Sequence, residues 1–156
     1  MYSFKTVQKI PASLQQVWDF FSHHANLKQI IQPGIGFTVI SRHHGNLLFA
    51  GQIIEYRLKP IWGIPIYWMT EITHVKEREY FADEQRRGPY GFWQHQHHFK
   101  EIQGGVEMTD IVHYRVPLWF IGYLANALFV RRKLKQIFDY RSKRMEEIFG
   151  KWEASA

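Results

Sequence analysis

Three of the nine histidines fall within four positions, in the stretch GPYGFWQHQHHF that runs from Gly88 to Phe99. Imidazoles at that density can ligate a metal, exchange protons as general acid and base, or orient a polar ligand group. In a β-strand alternate side chains share a face. Trp93, His95, His97 and Phe99 then point one way, and Phe92, Gln94, Gln96 and His98 the other. The first set is bounded by apolar rings, and the second is amide-rich and continues to Lys100. His95 and His97 are therefore expected inside and His98 in solvent.

The same parity groups residues on neighbouring segments. Met69, Glu71 and Thr73 share a face, as do Phe81, Asp83 and Gln85, and as do Met108, Asp110, Val112, Tyr114 and Val116. With the large apolar members turned inward, one wall would carry Glu71, Asp83, Gln85, Asp110 and Tyr114 beside the histidine pair. Buried carboxylates are costly unless paired, so a His–carboxylate network is expected. A β-bulge would invert parity locally and remove residues from that wall.

Such a network supports several readings. It can be structural, each His satisfying a carboxylate. It can be the polar end of a ligand site, with His95, His97 and Tyr114 orienting an otherwise apolar molecule. It can also be catalytic, with His95 or His97 as general base, Asp110 or Glu71 as its partner, and Tyr114 donating to a developing oxyanion. That set suits dehydration, isomerisation or aldol cyclisation without a cofactor. A His-x-His pair plus an adjacent-strand carboxylate could form a facial metal triad. With no H-E-x-x-H helix motif, neither a metal nor a cofactor is expected. His23–His24 and His43–His44 read as surface residues.

The elements that must position these groups follow from the periodicities. The first strand is expected over Tyr2 to Ile10. Ser13 with Gln16 three positions on is a capping box, followed by an apolar helical stripe of Leu14, Val17, Trp18 and Phe21. SHHANLKQI is expected to form a second short helix, ended by Gln32 to Gly34. From Phe37 the period becomes two, giving two strands joined by the turn HHGN, a loop PIWGIP and then four further strands. Gly88–Pro89 and Gly104–Gly105 mark turns, and Pro117 stops the last strand. A long helix is expected from about Trp119 to Phe149. Its second half shows Leu134, Ile137, Phe138, Met145 and Ile148 on one face, with Arg and Lys opposite. The pattern is α+β, a single domain over residues 1–156.

Composition narrows the function classes. Aromatic residues make up 17% of the chain, more than closing a small core requires, and rings also line apolar ligand sites. The chain has no cysteine, which excludes disulfides, thiolate nucleophiles and Cys-ligated metal centres. The N-terminus alternates polar and apolar residues, and the apolar run Val116 to Val130 falls short of the ~20 residues that span a bilayer. A soluble cytoplasmic protein is expected. Formal charge is +6, with seven Lys and Arg between Arg131 and Arg144. No nucleic-acid-binding motif accompanies the run, so nucleic acid is not an expected partner. Trp62 in the PIWGIP loop, with Trp119, Phe120, Tyr123 and Leu124 at the helix start, would form an apolar rim beside it. Such a rim could make transient contact with a membrane surface or serve a protein-interaction module, in a monomer or homodimer.

The order of these pieces resembles the helix-grip fold of the START-like or SRPBCC superfamily, and most of all its bacterial ligand-binding, polyketide cyclase/dehydrase-like branch. The resemblance rests on VWDFFSHHANLKQIIQPG, YRLKPIWGIPIYWMTEI, FADEQRRGPYGFWQHQHHF and GGVEMTDIVHYRVP, which cover nearly the whole chain in order. It implies a seven-stranded curved antiparallel sheet wrapped around the C-terminal helix, with a cavity between them. It also implies a small hydrophobic or amphiphilic ligand of lipid, polyketide or aromatic type. The ligand-contacting residues would then be the inner wall and the rim, from Trp93 and Phe99 on the strand to Trp62, Phe120 and Leu124 at the mouth.

Overall fold

The computed structural model describes residues 1–41, 47–59, 65–117 and 129–153. Strand β1 (Tyr2–Ile10) alternates between half-buried and exposed residues along its length. Pro11 and Ala12 end it, and helix α1 (Leu14–Ser22) begins on the expected capping box. The Ser13 hydroxyl accepts from the Gln16 backbone N–H at 3.2 Å, and the Gln16 side chain accepts from the Ser13 N–H at 3.0 Å. Val17, Trp18 and Phe21 are buried from one face of this helix. The second short helix is split into a 3₁₀ turn (His24–Asn26) and α2 (Leu27–Ile30).

Strand β2 (Thr38–Val39) is only two residues long, and after it come β3 (Ile53–Leu58), β4 (Ile66–Lys76) and β5 (Tyr80–Arg87). The long hairpin of β6 (Phe92–Ile102) and β7 (Gly105–Arg115) completes the sheet. Its seven strands run in the order β1-β7-β6-β5-β4-β3-β2, all antiparallel. The closing helix α3 (Arg131–Phe149) packs against β1 and across the inner face of the sheet. The part of that helix expected before residue 129, the HHGN turn and the PIWGIP loop lie outside the described residues, and Trp62, Phe120 and Leu124 with them.

Two apolar clusters lie between sheet and helices. One, under α1, joins Ile10, Trp18, Phe21, Phe81, Phe99 and Met145 with their neighbours. The other, toward the start of α3, joins Val112, Tyr114, Leu134 and Phe138. One residue of α3 departs from the expected facing. Leu134, Phe138, Met145 and Ile148 follow a 4-3 spacing in which Arg141 occupies an inward position. Arg141 is turned inward, its side chain only 12% exposed.

Candidate functional site

The interval between the two clusters is polar, and β5, β6, β7 and α3 each contribute to it. Asp83 lies opposite His95, and His97 lies opposite both Phe81 and Asp110 on its two neighbours. The Asp110 carboxylate is the hub. His95 Nε2 lies 2.9 Å and His97 Nδ1 2.8 Å from the same oxygen, Oδ1, and Arg141 Nη1 lies 3.5 Å from it. An ionised carboxylate only accepts, so both ring nitrogens facing it carry protons. Arg141 Nη2 lies 3.3 Å from His97 Nδ1, so that nitrogen meets a guanidinium donor as well as the Asp110 carboxylate.

Burial by itself would raise the pKa of Asp110. The Arg141 charge and the hydrogen bonds from His95 and His97 outweigh that and hold it well below the usual carboxylate range. His95 moves down. Burial disfavours its charged form and the neighbouring His97 adds to this, against the opposing pull of Asp110 and Asp83. At neutral pH the hub is therefore an ionised Asp110 beside a neutral His95. Rings enclose the set. Phe81 stacks on His97 with centroids 4.2 Å apart, Phe138 meets His95 edge-on at 5.6 Å, and the Arg141 guanidinium lies 4.9 Å from the Phe21 ring. A cation over an aromatic face recovers part of its lost hydration.

Toward the Gly88–Gly91 turn the same inner face becomes aromatic. Trp93, two residues from His95, meets Trp68 edge-on at 5.2 Å and Tyr90 at 4.8 Å, and Tyr114 lies 6.2 Å from Trp93. Tyr114 is fully buried among these rings, and burial raises the pKa of its phenol. Phe99, at the other end of β6, belongs to the cluster under α1.

The structure thus brings together Asp83, His95, His97 and Asp110 and sets Trp93 and Tyr114 beside them. Glu71 stands apart. It pairs with Arg86 at 2.6 Å on the outer face, because Thr70 and Ile72 are the buried residues of β4. Register shifts at Met69/Thr70 and Ile72/His74 bracket this stretch, within which the alternation is regular and Glu71 falls on the outer side. Gln85 braces the β5–β6 turn, donating to the Tyr90 carbonyl at 2.7 Å and accepting from the Tyr90 N–H. His98 stacks on Tyr80 and faces Gln96 across the outer surface.

Arg141 is the residue that sequence reasoning missed, counted there among the basic face of α3. Its 4-3 spacing with Phe138 and Met145 is the signal that would have found it. A surface cleft lined by Pro11, Ser13, Glu101 and Gly104 shares no residue with the polar layer.

No helix among the described residues is long and apolar enough to cross a membrane. No protein-family profile matches the sequence, and no curated protein matches it either. Solved structures do match. Protein TTHA0849 of Thermus thermophilus is 16% identical with a TM-score of 0.71, over 94% of this chain and 95% of that one. Protein Ms6760 of Mycobacterium smegmatis is 15% identical with a TM-score of 0.67, over 94% and 89%. Major latex-like protein 151 of Panax ginseng is 12% identical with a TM-score of 0.68, over 95% and 97%. At these identities the likeness is one of architecture. A seven-stranded antiparallel sheet with two short helices after its first strand and a long C-terminal helix is the Bet v1-like helix-grip fold.

Proposed function

We propose that this protein binds a small amphiphilic, ring-bearing molecule between sheet and C-terminal helix. The apolar body lies against Trp68, Tyr90 and Trp93, and its polar end meets His95, His97 and Asp83. One observation carries this reading. Along the inner face of β6, an aromatic wall at Trp93 runs directly into a buried ionisable set beginning at His95. Ligand sites combine an apolar lining with a few convergent polar groups in this way. A core needs no such layer for stability, since a buried ion pair is often worth no more than apolar packing.

The test is native mass spectrometry of protein purified from its own cells, with identification of any retained molecule. Thermal shifts across amphiphile and polyketide libraries follow. Trp93→Ala should weaken a retained ligand about tenfold or more, the scale of one lost aromatic contact. If nothing is retained and every thermal shift is flat for the folded protein, the reading fails.

A second reading is favoured by the state of His95. A neutral imidazole, oriented by a carboxylate and bounded by rings, is arranged as a general base for proton abstraction, as in dehydration or cyclisation. Turnover of an identified ligand that survives His95→Gln unchanged would remove it.

A further inference from the structure

We propose that Asp83, His95 and His97 form a site for a borderline divalent metal ion such as zinc, with Asp110 as the outer carboxylate that fixes both rings. One donor atom from each of the three residues lies within 4.8 Å of the others. Within the set, His97 Nε2 and Asp83 Oδ1 are 3.6 Å apart. That is too long for a hydrogen bond. It is close to the ~3.4 Å that separates two ligands each about 2.1 Å from one tetrahedral ion. The wider separations close to that value if two side chains each move by under about 1 Å.

The orientation of the rings favours the same conclusion. The Asp110 carboxylate faces Nε2 of His95 and Nδ1 of His97, so the nitrogen of each ring turned away from it is the one placed to ligate a metal. A histidine whose far nitrogen is held by a carboxylate is the arrangement that supports metal ligation. Arg141 lies 3.5 Å from Asp110, whereas the ion-pair contact of Asp83 among the described residues is the 3.6 Å approach of His97 Nε2.

The surroundings of Asp83 are polar as well. Its charge reaches the buried Tyr56 phenol, and the buried Thr70 hydroxyl lies beside that phenol. Arg141 opposes a cation only from the Nδ1 edge of His97, where Asp110 offsets it. Two imidazoles and one carboxylate suit zinc, cobalt or nickel better than calcium or magnesium. Three protein ligands also leave a fourth position for water or an anionic oxygen. The site does not depend on the amphiphile reading, and it is tested with metal alone.

Chelator-stripped full-length protein is titrated with Co²⁺, followed by visible absorption, and with Zn²⁺, followed by calorimetry. We expect one equivalent to bind with tetrahedral cobalt bands. Asp83→Asn should weaken binding at least ~30-fold, while the exposed His74→Ala leaves it unchanged. Anomalous diffraction from wild-type crystals soaked in zinc chloride needs no variant and should place the ion between Asp83, His95 and His97. Absence of binding up to about 1 mM, a Kd for Asp83→Asn equal to wild type, or an anomalous peak on other histidines alone would each overturn the proposal.

Discussion

Replacing Arg141 with methionine tests the physical account of the interior most directly. The substitution keeps an unbranched stem but removes the guanidinium, and with it the cation contacts on Phe21 and Phe138. At 3.5 Å and an effective dielectric near 20, its gross attraction to Asp110 is about 5 kcal/mol. The two ring contacts add ~0.5–1 kcal/mol each. Against this, the variant no longer has to bury a guanidinium, and Asp110 keeps two histidine donors.

The expected net loss is ~3 kcal/mol at pH 7, at the lower end of what breaking a buried pair costs. For a chain of this size that lowers Tm by roughly 6–12 °C. Urea unfolding of Arg141→Met, Asp110→Asn and the double variant measures the coupling. The double variant should be less destabilised than the sum of the singles by about 2 kcal/mol or more, because each single change strands the other group. The single-variant deficit should also shrink on acidification as Asp110 takes up a proton. If Arg141→Met lies within about 0.5 kcal/mol of wild type, or the two changes simply add, the guanidinium does not hold Asp110 and the account of this layer is wrong.

Three further outcomes follow from the same structure. Stability should fall steadily with acid. His95 has a folded pKa below its ordinary 6.5, so the unfolded chain gains a proton first as pH drops through that value. Asp110, also depressed, adds stability that is complete above 3.8 and lost as pH falls through its folded pKa. Urea midpoints that stay flat from pH 7 to pH 5 would contradict the His95 assignment. Gly105→Ala should cost about 2 kcal/mol or more, because the added carbon would sit 2.1 Å from the Ile10 carbonyl oxygen, which is backbone. Gly88→Ala meets the Gln85 side chain, at 2.3 Å, rather than backbone, and displaces the amide that holds Tyr90, so it should cost about 1 kcal/mol in a thermal melt, less than Gly105→Ala.

Much of this is legible in the sequence, for a definable reason. Alternation separates His95 and His97 from His98, and it sets Asp83, Asp110 and Tyr114 on the inner face, because β6 and β7 pair without interruption. The capping box at Ser13 announces α1 at its first turn. At Glu71 alternation holds but the face is misjudged, because the large Met69 points to the wrong side as the inward one while Thr70 and Ile72 are the buried residues. Parity gives no help at Arg141, where seven cations in fourteen positions look like a solvated face although one stands in register with the apolar stripe. The task of Gln85 is invisible for another reason, since a backbone partner such as Tyr90 leaves no trace in side-chain pattern.

The Asp110 hub has a consequence for which alternative folds are open to this chain. Inside-outside patterning repeats every two residues, so it cannot distinguish the native β6–β7 pairing from one displaced by two. A displaced hairpin would keep Trp93, Phe99 and Tyr114 inside and Lys100 outside. It would also carry Asp110 nearly 7 Å along the strand, opposite either His95 or Phe99, and away from Arg141 on the helix. The misaligned state would then bury a carboxylate and a guanidinium that no longer offset each other. A handful of charges in the centre of the grip thus penalises an error that the hydrophobic residues around them would accept.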